Sequence, residues 1–285
     1  MTVTLRPPRP EDAPVLGDIC YRAFKAIADA HNFPTDFPSA DGTVGLFRHL
    51  VEQRDGFGVV AEVDGRIIGS NFLNESNPIS GVGPITVDPD VQNDGAGRML
   101  MQAVMDRSAA KGFAGVRLVQ AGYHSRSLAL YLKLGFEARE HLSCLLGPAI
   151  DEAQPGCVVR PAITADQAAC DALCFRVHGH PRGGDLAAAI TAGSARVVER
   201  AGRLTGYATA IGIAAHAVAE TNDDLKALIG GAGPIRHPGF LVPTGNGELM
   251  RWCLQRGLRV TQSMTLMSMG LYNEPQGAWL PSVLF

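Results

Sequence analysis

The feature that most narrows the fold of this 285-residue chain is that its sequence begins again partway along. Arg6-Pro7, Asp12, Cys20 and Arg22 recur in the same order and spacing as Arg160-Pro161, Asp166, Cys174 and Arg176, with Phe175 in the place of Tyr21. Val60, Glu62, Gly65-Arg66 and Gly69 recur at a smaller offset as Val197, Glu199, Gly202-Arg203 and Gly206. Nearer the end, Leu132 and Gly135-Phe136 find partners in Leu254 and Gly257-Leu258. Matches in one order, with offsets that only shrink, describe an internal duplication. The expectation is one fold used twice: residues 1–148, a Pro/Gly-bounded linker over 149–156, and a shorter second copy over 157–285.

Within the first copy the periodicity predicts a strand over Val3–Leu5 and an amphipathic helix over Asp12–Asp29, its apolar face Val15, Leu16, Ile19, Cys20 and Ala23. A helix over Thr43–Arg54 follows. Next comes a hairpin of Gly58–Val63 and Arg66–Phe72 around Asp64-Gly65, a pair suited to the positive φ of a two-residue turn. A strand over Ile79–Val87, a helix over Gly97–Lys111, a strand over Val116–Gln120 and a helix over Ser125–Leu134, stopped by Gly135, complete the copy. A hairpin followed by strands alternating with helices predicts an α/β fold on a mixed sheet, built as two tandem domains.

Composition removes several function classes. A net charge of −3 and the absence of a Lys/Arg run argue against a nucleic-acid surface. No apolar stretch approaches the roughly 20 residues that span a bilayer, and Met1–Arg9 lacks the apolar core of a secretory signal, so a cytoplasmic protein without a membrane partner is expected. Among the six cysteines only Cys170 and Cys174 are close, and neither C-x-x-C pairs nor His/Cys clusters occur. Buried reduced thiols are expected rather than a metal site.

The chemistry concentrates between Gly83 and Gly97. The apolar run Ile85-Thr86-Val87 leads through Asp88-Pro89 into Gln92-Asn93-Asp94-Gly95-Ala96-Gly97-Arg98. Two glycines one residue apart, after a strand and before a helix, let the backbone turn tightly and aim several N–H groups at one anion. The set Val87-x-Pro89-x-x-Gln92-x-x-Gly95-x-Gly97-Arg98-x-Leu100, followed downstream by Ser127-Leu128-x-Leu130-Tyr131-x-Lys133-Leu134-Gly135-Phe136, resembles the acetyl-CoA signature of the GNAT N-acetyltransferase superfamily.

That resemblance implies that the backbone of Gln92, Asn93, Asp94, Gly95, Ala96 and Gly97, with charge from Arg98, holds the pyrophosphate of acetyl-CoA. It implies that Ile85, Thr86 and Val87 pair with the pantetheine arm, that His124 (where the family often carries Asn) and Ser127 lie on the cofactor side, and that Tyr131 protonates the departing thiolate. A phenol with a pKa near about 10 suits that task, although Tyr131 also falls on a face with Leu128 that could be core. Asp94 departs from the Arg or Lys common in the family and either weakens phosphate binding or caps the helix.

Glu75, Asp36 and His31 are candidate general bases, and Phe285, ending an apolar tail, offers a carboxylate. Phe33 and Phe37, in a Pro-rich loop, either pack or line a substrate cleft. The second copy carries Glu220-Thr221-Asn222-Asp223-Asp224 where the phosphate turn should recur, and Cys253 in the place of Tyr131, so it is expected to have lost the cofactor. Its segment Pro234–Thr244 and the tail are the expected sources of substrate contacts. The reading is an acetyltransferase that moves an acetyl group from acetyl-CoA to a small-molecule or protein amine by direct attack, the first half catalytic and no metal used, with self-association left open. A non-catalytic acyl-CoA-binding or scaffold protein is the alternative. A nucleotide-binding enzyme is disfavoured because the turn lacks a Gly-Lys-Ser/Thr ending and a third glycine.

Overall fold

The computed structural model describes residues 2–53, 56–91 and 95–284. Strand β1 (Thr4–Arg6) precedes helices α1 (Ala13–Ala30) and α2 (Ala40–Glu52). The hairpin β2 (Gly56–Val63) and β3 (Arg66–Asn74) turns at Asp64 and Gly65, both at positive φ. The strand expected over 79–87 is interrupted: β4 (Ile79–Val82) and β5 (Thr86–Val87) flank a cis Gly83-Pro84 bond. Pro84 has no N–H to give to a ladder, which breaks the pairing there. Helix α3 (Ala96–Lys111), strand β6 (Gly115–Ala121), helix α4 (Ser125–Lys133) and strand β7 (Glu137–Leu146) follow.

The order then repeats. Strand β8 (Cys157–Pro161) leads to α5 (Gln167–His178) and α6 (Gly183–Thr191), then to the hairpin β9 (Arg196–Arg200) and β10 (Arg203–Ala208) and to β11 (Ala217–Ala219). Helix α7 (Asn222–Gly230), β12 (Phe240–Pro243), α8 (Gly247–Gln255), β13 (Arg259–Gly270) and β14 (Ala278–Leu280) end the chain. The two copies also repeat their ion pairs. Arg6 holds Asp12 and Glu62, each at 2.7 Å, as Arg160 holds Asp166 at 2.7 Å and Glu199 at 2.6 Å. Arg22 and Arg66 converge on buried Asp88, as Arg176 and Arg203 converge on Glu220. Conserving charged partners across two copies, and not only apolar spacing, fits descent from one fold.

Strand pairing does not follow the halves. The larger sheet runs β1-β2-β3-β4-β6-β13-β7-β12, with β5 also on β3, and the smaller runs β14-β11-β10-β9-β8. Strand β13 enters between β6 and β7, pairing with β6 from Met264 opposite Ala121 to Gly270 opposite Gly115. Strands β12 and β13 of the second copy thus complete the sheet of the first. Period-two alternation divides that sheet's faces. Val59, Ala61, Ile68, Val116 and Leu118 meet Leu100 and Val104 of α3 and Tyr131 of α4, while Val60 and Phe72 meet Leu16 and Cys20 of α1 and Phe47 of α2.

Cys170 and Cys174 are free thiols buried with Leu173, Val197 and Tyr207. Among the described residues no group of His, Cys, Asp and Glu is arranged to hold a metal ion. Among them, too, no helix is long and apolar enough to cross a membrane.

Candidate active site

Strands β4 and β6 are parallel neighbours only from Ile79 opposite Gly115 to Gly81 opposite Arg117. Beyond that rung β5 stays on β3, with Gly69 opposite Val87 and Ser70 opposite Thr86, while β6 continues to Ala121 against β13. The two strands diverge, so Ile85, Thr86 and Val87 form one lip of a cleft and residues 118–121 the other. No strand pairing joins β5 to β6 among the described residues.

Helix α3 begins beside this opening. Gly95 is its N-cap at φ 83°, and a Cβ there would meet nothing within 4 Å, so the conformation rather than the space calls for glycine. A Cβ on Gly97 would stand 3.8 Å from Val87 Cγ2 and 3.9 Å from Leu130, which places the helix start over the β5 lip and against α4. The first-turn N–H groups, those of Ala96, Gly97 and Arg98, have no acceptor inside the helix and carry its positive dipole end. Arg98 is exposed. Gln92, Asn93 and Asp94 lie outside the described residues, and with them the choice between a weakened phosphate site and a cap at Asp94. Asp88, where the lip ends, is buried; Arg22 first, and Arg66 also, hold its carboxyl below the usual range.

On α4, Tyr131 is buried with its ring 6.1 Å from that of Phe136, and burial pushes its phenol up to about 12. His124 is half-buried at the N-cap position of the same helix, and desolvation lowers its pKa. The Ser127 hydroxyl stands 2.9 Å from the His124 carbonyl and 3.0 Å from Gln120 Oε1, able to donate to either. Gln120 is absent from the sequence-based candidates. Its signal was available: a polar residue at the inward position that Val116 and Leu118 occupy earlier on the same strand.

The candidate bases separate. Glu75 is ion-paired to Arg107 of α3 at 2.6 and 2.9 Å, which removes it from the face that carries α1 and α2. His31 is exposed, its Nδ1 2.9 Å from the Ile27 carbonyl. Asp36 is held in the loop after α1, where burial raises its pKa and a 2.6 Å hydrogen bond from Gln262 Nε2 of β13 partly offsets that. The loop aromatics pack: Phe33 stacks on Tyr123 at 4.2 Å and Phe37 meets Phe24 edge-on at 5.3 Å.

Phe285 lies outside the described residues, but the tail before it reaches the first copy. A Cβ on Gly81 would run into the Leu284 carbonyl, and Ser282 and Leu284 help to line a cavity of about 380 Å³ with Asn74, Asn77, His180 and Asp185. The expectation of substrate contacts from Pro234–Thr244 is not met across its centre. Phe240, Leu241 and Val242 are buried in β12 against β7, because this stretch is a sheet strand.

The equivalent cleft of the second copy is different. Strand β11 sits on β10 with Ala219 opposite Gly206, as Val87 sits opposite Gly69, but its other side is taken by β14 from Ala217 opposite Leu280 to Ala219 opposite Ala278. The start of α7 is closed on itself: Thr221 Oγ1 accepts from the Asp224 N–H at 3.3 Å, and the Asp224 carboxylate accepts from the Thr221 N–H at 3.2 Å and from Thr205 Oγ1 at 2.8 Å. Cys253, in the place of Tyr131, is buried, its thiol pushed up to about 12 by desolvation.

A mixed sheet that opens between parallel strands beside a helix N-terminus, followed by a second copy of the element order that exchanges strands with it, defines an acetyltransferase-type fold. Residues 24–136 match the Acetyltransferase (GNAT) family model. Mycothiol acetyltransferase of Saccharomonospora viridis is 32% identical over 95 residues, covering 30% of this chain and 31% of that protein. The matched region therefore spans about a third of that curated relative. Two solved structures share the whole architecture. A putative acetyltransferase from Pyrococcus horikoshii has a TM-score of 0.72 at 17% identity, covering 97% of this chain and 94% of its own. A GCN5-related N-acetyltransferase from Sphaerobacter thermophilus has 0.61 at 14%, covering 95% and 96%.

Proposed function

We propose that this protein transfers an acetyl group from acetyl-CoA to an amine, with the cofactor and the chemistry in the copy spanning residues 1–148 and the copy spanning 157–285 degenerate. The observation that carries the proposal is the contrast between the two clefts. In the first, β5 and β6 diverge with no strand between them among the described residues and a glycine-started helix begins beside them, whereas in the second β14 lies on β11 and the helix start is self-capped.

In this reading the Ile85–Val87 backbone pairs with the pantetheine arm and polarises the thioester carbonyl. The first turn of α3 faces the pyrophosphate. The neutral amine attacks the carbonyl carbon, the C–S bond breaks, and the thiolate takes the Tyr131 phenol proton. Asp36, or a water it holds, accepts the proton from the ammonium. The cytoplasm supplies acetyl-CoA and reduced thiols suited to such a protein.

The test is thiol release from acetyl-CoA across a panel of amino acids, polyamines, aminoglycosides and peptide amines, after calorimetry has established binding. Turnover with at least one amine, falling about 10²–10⁴-fold in Tyr131→Phe at unchanged acetyl-CoA affinity, is the expected result. Binding without turnover across the panel would replace this reading with a non-catalytic acyl-CoA-binding protein.

A further inference from the structure

We infer that Gln120 is a positioning residue for the acyl-pantetheine arm, its side-chain amide donating a hydrogen bond to a carbonyl of that arm. The inference rests on the reading that the first cleft takes acetyl-CoA. Gln120 lies on β6 three residues past Arg117, the last rung shared with β4, and so on the diverging lip. It faces α4, with its amide oxygen 3.0 Å from the Ser127 hydroxyl. The side chain is only 4% exposed, and its Nε2 meets no acceptor among the described residues. Buried polar atoms are nearly always hydrogen-bonded, and leaving an amide donor without an acceptor costs stability. A buried donor of this kind on the diverging lip marks a place where a polar, extended ligand completes the pairing.

The second copy provides an internal control. Pro243 pairs with Leu142 of β7 as Ala121 pairs with Met264 of β13, which makes Val242 the counterpart of Gln120 and, one helix later at the same offset, Leu249 the counterpart of Ser127. Both are fully buried, in one apolar cluster with Ala278 and Leu280 of β14. Where the chain's own strand lies between the lips, the flanking pair is apolar; where no strand lies there, it is Gln and Ser. The need for a side-chain donor has a local cause as well. Counting on from the last rung sets Gln120 level with Pro84, which precedes the lip and has no N–H.

The experiment titrates wild type, Gln120→Leu and Gln120→Met with CoA and with adenosine 3′,5′-bisphosphate, which keeps the nucleoside and two of CoA's three phosphates but has no pantetheine arm. Each variant should bind CoA about 10–100-fold more weakly and the bisphosphate within about twofold of wild type. Gln120→Met should melt at or above the wild-type temperature, because an unpartnered amide has been removed. Equal weakening of both ligands, or no weakening of CoA, overturns the inference. Wild-type protein that binds neither ligand overturns the acetyl-CoA reading, and this inference with it.

Discussion

Gly69 offers the sharpest test of whether β5 is the working lip. A Cβ at this position would lie 2.5 Å from the Thr86 carbonyl oxygen, 3.2 Å from Val87 Cα and 3.3 Å from Leu100 Cδ1. The closest of these is backbone, so relief to an ordinary contact requires β5 to move away from β3 by roughly 0.9 Å, and strain of this kind costs about 1–3 kcal/mol. A hydrogen bond near 2.9 Å stretched by that amount passes out of bonding range. Losing one or two bonds from the lip to the cofactor is worth about 1–3 kcal/mol, or about tenfold to a hundredfold in affinity. Gly206 is the same position in the second copy, where a Cβ would lie 2.9 Å from both Ala219 Cβ and Val198 Cγ1. Gly206→Ala should therefore lose similar stability but bind acetyl-CoA within about twofold of wild type, whereas Gly69→Ala loses both. Calorimetric titration beside thermal melting reads the two quantities separately. The reasoning fails if Gly206→Ala weakens acetyl-CoA as much as Gly69→Ala, or if Gly69→Ala loses stability and keeps full affinity.

Other consequences follow from burial and charge. Asp88→Asn should cost about 2 kcal/mol at neutral pH, since it leaves two arginines without their shared carboxylate. Because the folded carboxyl titrates below its ordinary value, its stabilisation is present above about pH 4 and is lost as pH falls through the folded pKa; denaturation followed from pH 7 to pH 2 should show a flatter acid limb in the variant. Trp279 of β14 packs on Leu142, Leu241 and Leu266, strands of the larger sheet, while its backbone pairs in the smaller. Trp279→Ala should therefore cost about 3–5 kcal/mol, and a single calorimetric transition should move down as one; two separating transitions would contradict the coupling. With its phenol at about 12, Tyr131 stays protonated throughout the assayable range, so the rate should show no loss from this acid as pH rises to about 10. A profile that falls below that point in wild type and is flat in Tyr131→Phe would refute the raised pKa, and an unchanged rate in Tyr131→Phe would refute the role.

The local features of this protein were legible in its residues. Asp64-Gly65 announces its turn, Gly95 its left-handed cap and Gly135 the end of α4, because each depends on torsions of the residue itself. The repeat was equally plain, and its charged members turned out to be matched ion pairs. Glu75 was misleading for a physical reason: Arg107, on another element, neutralises it, and nothing nearby in the chain signals that. Gln120 passed unremarked because a single polar residue in an apolar strand acquires meaning only once its neighbours across the cleft are known.

Residue order alone therefore settles the duplication, the element types and the glycine turn that begins α3, all products of short-range torsion and periodicity. Which strands become neighbours was decided in three dimensions. Alternation tells which face a residue takes but not which edge its strand will join, so neither the insertion of β13 between β6 and β7 nor the seating of β14 on β11 could be read beforehand. That long-range pairing makes two nearly equivalent clefts unequal, one filled by β14 and the other with no strand between β5 and β6 among the described residues.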